Sequence, residues 1–237
     1  MRDGRELTRA TKEFAQDQRG RSWWNLLSTL VVFGAALTGA CMDFHWAIRL
    51  CFGVVAGLVH VRLFVIYHDH QHGAIFEGSK LVDIFFRCYG LLTLSPSSIW
   101  KHTHDDHHIN NSRSFRLESV GTYPILTTEA YQKLDRGKRL VYHISRHPLT
   151  ILFGYLTVFF YGFCLRPLLV DPRRHLDGLA AIVLHVGLLV ALGLTRLDIL
   201  GFAVLLPWFV ATGFGSYLFY AQHNFPGVQF RSDEDWD

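Results

Sequence analysis

The chain is poor in the residues that mark several common chemistries. Its four cysteines, Cys41, Cys51, Cys88 and Cys164, have no CxxC spacing, so neither a disulfide framework nor a thiolate metal site is indicated. Three lie in or beside apolar runs, where a thiol serves as a small packing residue. A Gly-rich phosphate loop and a dinucleotide fingerprint are both missing, and any electrons the protein uses should come from a separate protein. Nothing suggests a nucleophile triad. A cleavable signal peptide is not indicated either: the polar lead-in with Arg2, Arg5, Arg9, Lys12, Arg19 and Arg21 is followed by one long apolar run and almost at once by another. The formal net charge of +3 excludes nothing by itself, and its distribution is more informative.

Apolar residues make up half of the 237, Phe especially, so one domain with a large buried or lipid-facing surface is expected. The runs approach or exceed the roughly 20 residues a helix needs to cross a bilayer. An all-α integral membrane protein with four transmembrane helices follows. The spans are read from Trp23 and Trp24 to about Met42, from Trp46 to about Ile66, from Leu176 to about Leu194 and from Ile199 to about Tyr220. Gly53-x-x-x-Gly57 is read as facing Gly34, Ala36 and Ala40 of the first run, where small residues allow close helix packing. The loop at Asp43–His45 has no Lys or Arg while both outer flanks have many, which puts that loop outside and the opposite ends in the cytoplasm. Arg196 in the other outer turn is a small exception.

The segments between the spans are read as interfacial. Leu81 to Leu94, interrupted by Asp83, Arg87 and Gly90, reads as a helix lying at the interface, ended by Ser95-Pro96-Ser97-Ser98. Thr127 before Glu129 starts a charged helix running toward His147, which Pro148 ends. Basic residues on both sides of Leu149 to about Cys164 make that run interfacial or re-entrant, and this parity returns His223 to the cytoplasmic face.

On that face histidines arrive in two bursts, His68-Asp-His-Gln-His72 and His102-Thr-His-Asp-Asp-His-His108. On helices, His68 and His72 share one face, as do His104, His107 and His108. Five imidazoles can converge from two helices. Imidazole sets suit iron, zinc, copper or nickel, and more than four suggests more than one metal. Asp69 is a candidate to orient an imidazole through its other ring nitrogen. His45, His60, His143, His147, His175 and His185 are better read as packed core residues.

These residues resemble the membrane fatty acid desaturases, most closely the acyl-lipid enzymes of the delta-12/omega-6 kind. The likeness lies in His68-Asp69-x-x-His72-Gly73, Trp100-Lys101-x-x-His104-x-x-His107-His108, Arg146-His-Pro148, Gln222-His223 and Asp233-Glu-Asp-Trp236. It implies a non-haem centre of two iron ions, dioxygen as co-substrate, and a double bond left in a saturated acyl chain. By carry-over the iron ligands would be His68, His72, His104, His107, His108 and His223. His70 and His102 fall at variable positions and stay outside the set. The implied partners are the membrane, an acyl lipid or acyl thioester substrate and an electron donor such as ferredoxin or a cytochrome; nothing calls for a nucleic acid. The cytoplasmic basic residues could receive an acidic electron carrier or simply set topology and touch lipid.

The resemblance departs in one place, for the family's third box, an HxxHH pattern, has no counterpart after His223. The chain is accordingly read as one desaturase-like domain over 1–237, C-terminally incomplete, with 1–22 a cytoplasmic lead-in. A carotenoid or alkyl hydroxylase on the same scaffold, and a non-catalytic membrane protein that binds metal or lipid, are the competing readings.

Overall fold

A long apolar run in an apolar surrounding can satisfy its backbone only as a helix, and these runs fold accordingly. The structure is a computed structural model describing residues 4–14, 16–101, 103, 123–222 and 227. In chain order the helices are α1 (Gly4–Thr11), α2 (Arg19–Cys41), α3 (Trp46–Gln71), α4 (Lys80–Leu92), α5 (Thr128–Gln132), α6 (Arg136–Ser145) and α7 (Pro148–Leu152). They continue with α8 (Tyr155–Val170), α9 (Leu176–Thr195) and α10 (Leu197–Ala221). Four of them, α2, α3, α9 and α10, are long and apolar enough to cross a membrane.

The end of this bundle away from the first histidine burst is fixed by one buried cation. Arg49, in the first turn of α3, donates from Nε to the Ala40 carbonyl at 2.9 Å and from a terminal nitrogen to Asp198 at 2.9 Å. That joins the turn between α2 and α3 to the turn between α9 and α10. Asp198 also takes both forks of Arg196 at 3.2 Å, so the one basic residue of this turn is neutralised where it stands.

The small-residue stripe on α3 faces another helix than the composition suggests. A Cβ on Gly53 would lie 2.5 Å from the Phe202 carbonyl oxygen, and one on Gly57 2.6 Å from Val210 Cβ, both in α10. Gly34 has open space around it. The α2–α3 contact is made instead by Gly39, whose position a Cβ would fill 2.6 Å from the Phe52 ring, together with the buried Ala36 and Ala40.

Two segments enter the bundle and return to the same end. α4 runs back along the end of α3, with Asp83 at His70, Phe86 at Tyr67 and Tyr89 at His60. The chain then reverses at Thr93 and Leu94 and comes back through a helical turn at 97–101 to place Trp100 beside His68. α7 likewise leads inward: Gly154 sits against Ser216, Tyr155 reaches Trp208 and His185 halfway along their helices, and α8 returns to put Cys164 at Leu94. This run is not among the four helices long and apolar enough to cross a membrane.

The charged helix after Thr127 is two helices. Thr127 caps the first through Ala130 N–H, as read, but Asp135 interrupts it by accepting from Lys138 N–H and starting α6. Pro148 opens α7 at its first turn instead of closing α6, with His147 capping it through Leu149 N–H at 3.2 Å.

Close approach of α3 and α10 gives a contrast that thermal unfolding in detergent micelles reads directly. Gly53→Ala and Gly57→Ala should each destabilise by about 1–3 kcal/mol through overpacking. Gly34→Ala, with nothing to clash against, should be neutral or stabilise by up to about 1 kcal/mol.

Candidate metal centre

The first histidine burst rides the last turn of α3, so its spacing becomes geometry. His68 and His72 lie one turn apart, edge to face, with ring centroids 4.6 Å apart. Asp69 Oδ1 lies 2.9 Å from His68 Nδ1. A proton held there puts the lone pair of a neutral ring on Nε2, the arrangement an imidazole ligand needs. The helix stops just past His72 because Gly73 follows with φ +68°, a left-handed stop that open space around its Cα makes purely conformational.

His70 points to a different place. Its Nε2 meets Asp83 at 3.0 Å, its Nδ1 meets the Ile75 carbonyl at 3.3 Å, and its ring stacks on Phe86 at 5.0 Å. Both nitrogens are thus engaged with α4 and the following loop, which agrees with its exclusion from the ligand set.

Two buried aromatic residues flank the box, Phe76 next in the chain and Trp100 in space. Phe76, in the loop after His72, is buried with a φ of +59° that a bulky residue adopts only when its surroundings over-determine it. Trp23 packs against it at 5.0 Å, Asp17 Oδ2 accepts its N–H at 2.9 Å, and Arg19 donates to the adjacent Glu77 carbonyl at 3.0 Å. On the other side Trp100, 1% exposed, presents its ring at 84° and 5.6 Å from His68. Trp100 is held by Tyr67 at 5.5 Å and Phe64 at 5.9 Å.

The turn at 93–98 that brings Trp100 there is tied from three directions. Tyr67 donates its hydroxyl to the Ser95 carbonyl at 2.9 Å, and Cys164 Sγ reaches the Leu94 carbonyl. Burial, then the charge of Asp177, push the Cys164 thiol up to about 12, which suits packing and not reactivity. Asp177, in the first turn of α9, accepts from Ser98 N–H at 3.0 Å and Ser98 Oγ at 2.6 Å. Having given its proton to Asp177, the Ser98 hydroxyl accepts from His175 Nδ1 at 2.9 Å. Serine, histidine and carboxylate meet here as a latch between elements, since the carboxylate holds the serine and not the imidazole.

Of the six proposed ligands the structure brings His68 and His72 together; His104, His107, His108 and His223 lie outside the described residues, as does His102. Among the described residues no three His, Cys, Asp or Glu side chains form a metal cluster. The six histidines read as core divide equally. His60, His175 and His185 are buried, but His45, His143 and His147 are exposed, two of them capping helices and His143 accepting or donating with the Tyr131 hydroxyl at 2.7 Å. The residues missed in the sequence are Asp17, Ser98 and Asp177, whose partners are 59 and 79 positions away.

A groove of about 700 Å³ runs between α3, α7 and α10. Leu58, Leu152, Phe209 and Phe214 line it, and Arg146 and Tyr220 stand at its histidine end. The Arg146 guanidinium lies over the Tyr142 and Tyr220 rings at 5.5 and 5.2 Å and donates to the Pro124 carbonyl at 2.8 Å.

With this geometry stand the similarities to known proteins. The family model described as fatty acid desaturase matches residues 44–237. A fatty acid desaturase of Bacillus subtilis (strain 168) is 29% identical over 98% of this chain and 67% of its own length. An endoplasmic reticulum omega-3 fatty acid desaturase of Vigna radiata is 29% identical over 52% of this chain, and a chloroplastic one of Glycine max is 26% identical over 56%. The chain's match spans about a third of each plant protein, 32% and 30%. No solved structure matches.

Trp100 is the wall of this site, and its removal should show. Trp100→Ala should destabilise the chain by about 3–5 kcal/mol, the usual cost of emptying a buried aromatic site, whereas Trp100→Phe should cost less than half of that. Equilibrium unfolding in detergent measures both.

Proposed function

The chain belongs to the fatty acid desaturase family, a family of oxidoreductases, and from that premise we propose that it places a double bond in a lipid acyl chain. The acyl group is carried on a membrane lipid or a thioester, and dioxygen is the co-substrate. The proposed centre holds two iron ions through His68, His72, His104, His107, His108 and His223. One observation carries the reading: two imidazoles on one helix face, 4.6 Å apart, with a carboxylate on the far nitrogen of one. That donor set fits iron, for which neutral imidazole is a suitable ligand.

Bound iron would supply the reduction of dioxygen and the removal of two hydrogens from neighbouring carbons. The protein's own residues have other work. Asp69 fixes the His68 ring, Trp100 and Phe76 exclude water around the box, and the bundle offers an apolar path to the chain. The groove between α3, α7 and α10 is of a size that suits an acyl chain. We place the centre on the cytoplasmic side because the basic flanks cluster at the histidine end of the bundle. Electrons would come from a separate ferredoxin or cytochrome, and the exposed Lys133, Arg136 and Lys138, in α6 and the turn before it, are the surface suited to an acidic carrier.

Expression in a host that lacks the corresponding double bond tests the proposal through chromatography of its lipids. New unsaturated chains should be found, and His72→Ala or His104→Ala should abolish them. Purified protein should hold about two irons per chain, the number that an excess of imidazoles over one metal's needs suggests. Conversion that survives both substitutions would contradict the assignment.

A further inference from the structure

The two elements that flank the histidine box are each held by a carboxylate from far away in the sequence, in the same manner. Asp17 accepts the Phe76 N–H on Oδ2 at 2.9 Å and the Ser22 hydroxyl on Oδ1 at 2.8 Å. Asp177 accepts the Ser98 N–H on Oδ2 at 3.0 Å and the Ser98 hydroxyl on Oδ1 at 2.6 Å. Each therefore pairs a backbone donor on a non-helical stretch or helix start with a serine hydroxyl. A carboxylate so used has both oxygens engaged, and charge-assisted bonds of this kind are about twice as strong as neutral ones.

What the first holds follows the box directly in the chain, and what the second holds lies against it in space. Phe76 sits in a left-handed conformation that is not self-sustaining, with Trp23 on one side and His70 at 6.5 Å on the other. Ser98 is two residues before Trp100, whose ring stands on His68. His175 adds a third bond to the Ser98 hydroxyl, which keeps that hydroxyl turned toward Asp177. Releasing either carboxylate would let the loop after His72, or the turn carrying Trp100, move away from the imidazoles.

We propose that Asp17 and Asp177 are positioning residues of the histidine box: one clamps the loop that follows it and the other the turn that covers it. Neither touches the metal or the substrate. The proposal rests on the reading of His68 and His72 as iron ligands only for its effect on iron, because the clamping itself is a property of the protein.

The test uses the full chain in detergent, with two readouts. Hydrogen exchange by mass spectrometry on the iron-free protein follows 73–79 and 95–101, and Fe(II) titration follows affinity. Asp17→Ala should speed exchange in 73–79 by about tenfold, and Asp177→Ala and Asp177→Asn should do so in 95–101, with the spans unchanged. Iron affinity should fall about 10–100-fold in all three, the range found when outer partners of metal ligands are removed. Ser98→Ala should reproduce part of the Asp177 effect and Ser98→Thr, which keeps the hydroxyl, should restore it. Asp198→Ala breaks the latch at the opposite end and should change neither readout. Unaltered exchange and affinity in the Asp17 and Asp177 variants would overturn the proposal, as would equal loss in Asp198→Ala. Should the parent chain bind no iron, the metal reading fails, and the exchange arm still decides the clamping. If Asp177→Ala does not fold, Ser98→Ala against Ser98→Thr decides in its place.

Discussion

Backbone that leaves a helix inside an apolar surrounding must find its hydrogen bonds within the protein, and this constraint governs how the histidine end is built. The chain leaves helical geometry inside the bundle at 93–96 and again near 153–154. At the first break Ser95 N–H returns to Gly90, Ser95 carbonyl takes the Tyr67 hydroxyl, and Leu94 carbonyl takes Cys164. Gly90 is glycine because a Cβ there would come within 2.7 Å of the same Ser95 carbonyl. At the second, Thr157 bridges to the carbonyls of Thr150 and Phe153, and Gly213 lets Leu152 carbonyl approach. A spanning helix takes part in each reversal, α3 through the Tyr67 hydroxyl at the first and α10 through the close approach at Gly213 at the second. The site is therefore a consequence of how α3 and α10 are dressed.

Much of this was legible in the residues, and the parts that were not share a cause. Segment-level signals located the four spans, the extension of α3 through the first box and the cap at Thr127. These are properties of one segment at a time. Partnership is not, and Gly53 and Gly57 were matched to the neighbour in sequence when their neighbour in space is α10. For the same reason the pairing of Asp83 in α4 with His70 was not legible in the sequence. The break at 133–135 was missed because Asp135 reads as another charge on a charged helix, although its side chain is a cap.

Several polar groups in the spans meet another element. Arg62 reaches across from α3 to Thr29 and Asn25 of α2 at 3.0 and 3.3 Å. His185 of α9 meets the Tyr155 hydroxyl of α8, with Trp208 of α10 over its ring at 4.4 Å. His60 is enclosed by Phe33, Tyr89 and Trp208. In lipid, where apolar side chains gain nothing by leaving the solvent, contacts of this kind and close van der Waals packing hold helices in register. They also distinguish these imidazoles from the ones at the end of α3: a ring wrapped by aromatics is a joint, whereas His68 and His72 share a face and one is oriented by a carboxylate.

The two ends of the bundle differ in how their charges are spent. At the end away from the first histidine burst one guanidinium and one carboxylate join two turns, and Arg49 adds the face of Phe202 at 4.8 Å. At the histidine end the carboxylates of Asp17, Asp69, Asp83 and Asp177 each go to a different object: a backbone N–H, a box imidazole, a second imidazole and a helix start. Taking an imidazole's orientation from one neighbour leaves the ring free to shift with that neighbour. Fixing the neighbour, the loop after it and the aromatic wall above it removes those freedoms separately. A ligand set required to hold metals at constant separation needs this distributed restraint, because a single bond of this kind contributes only about 1–3 kcal/mol.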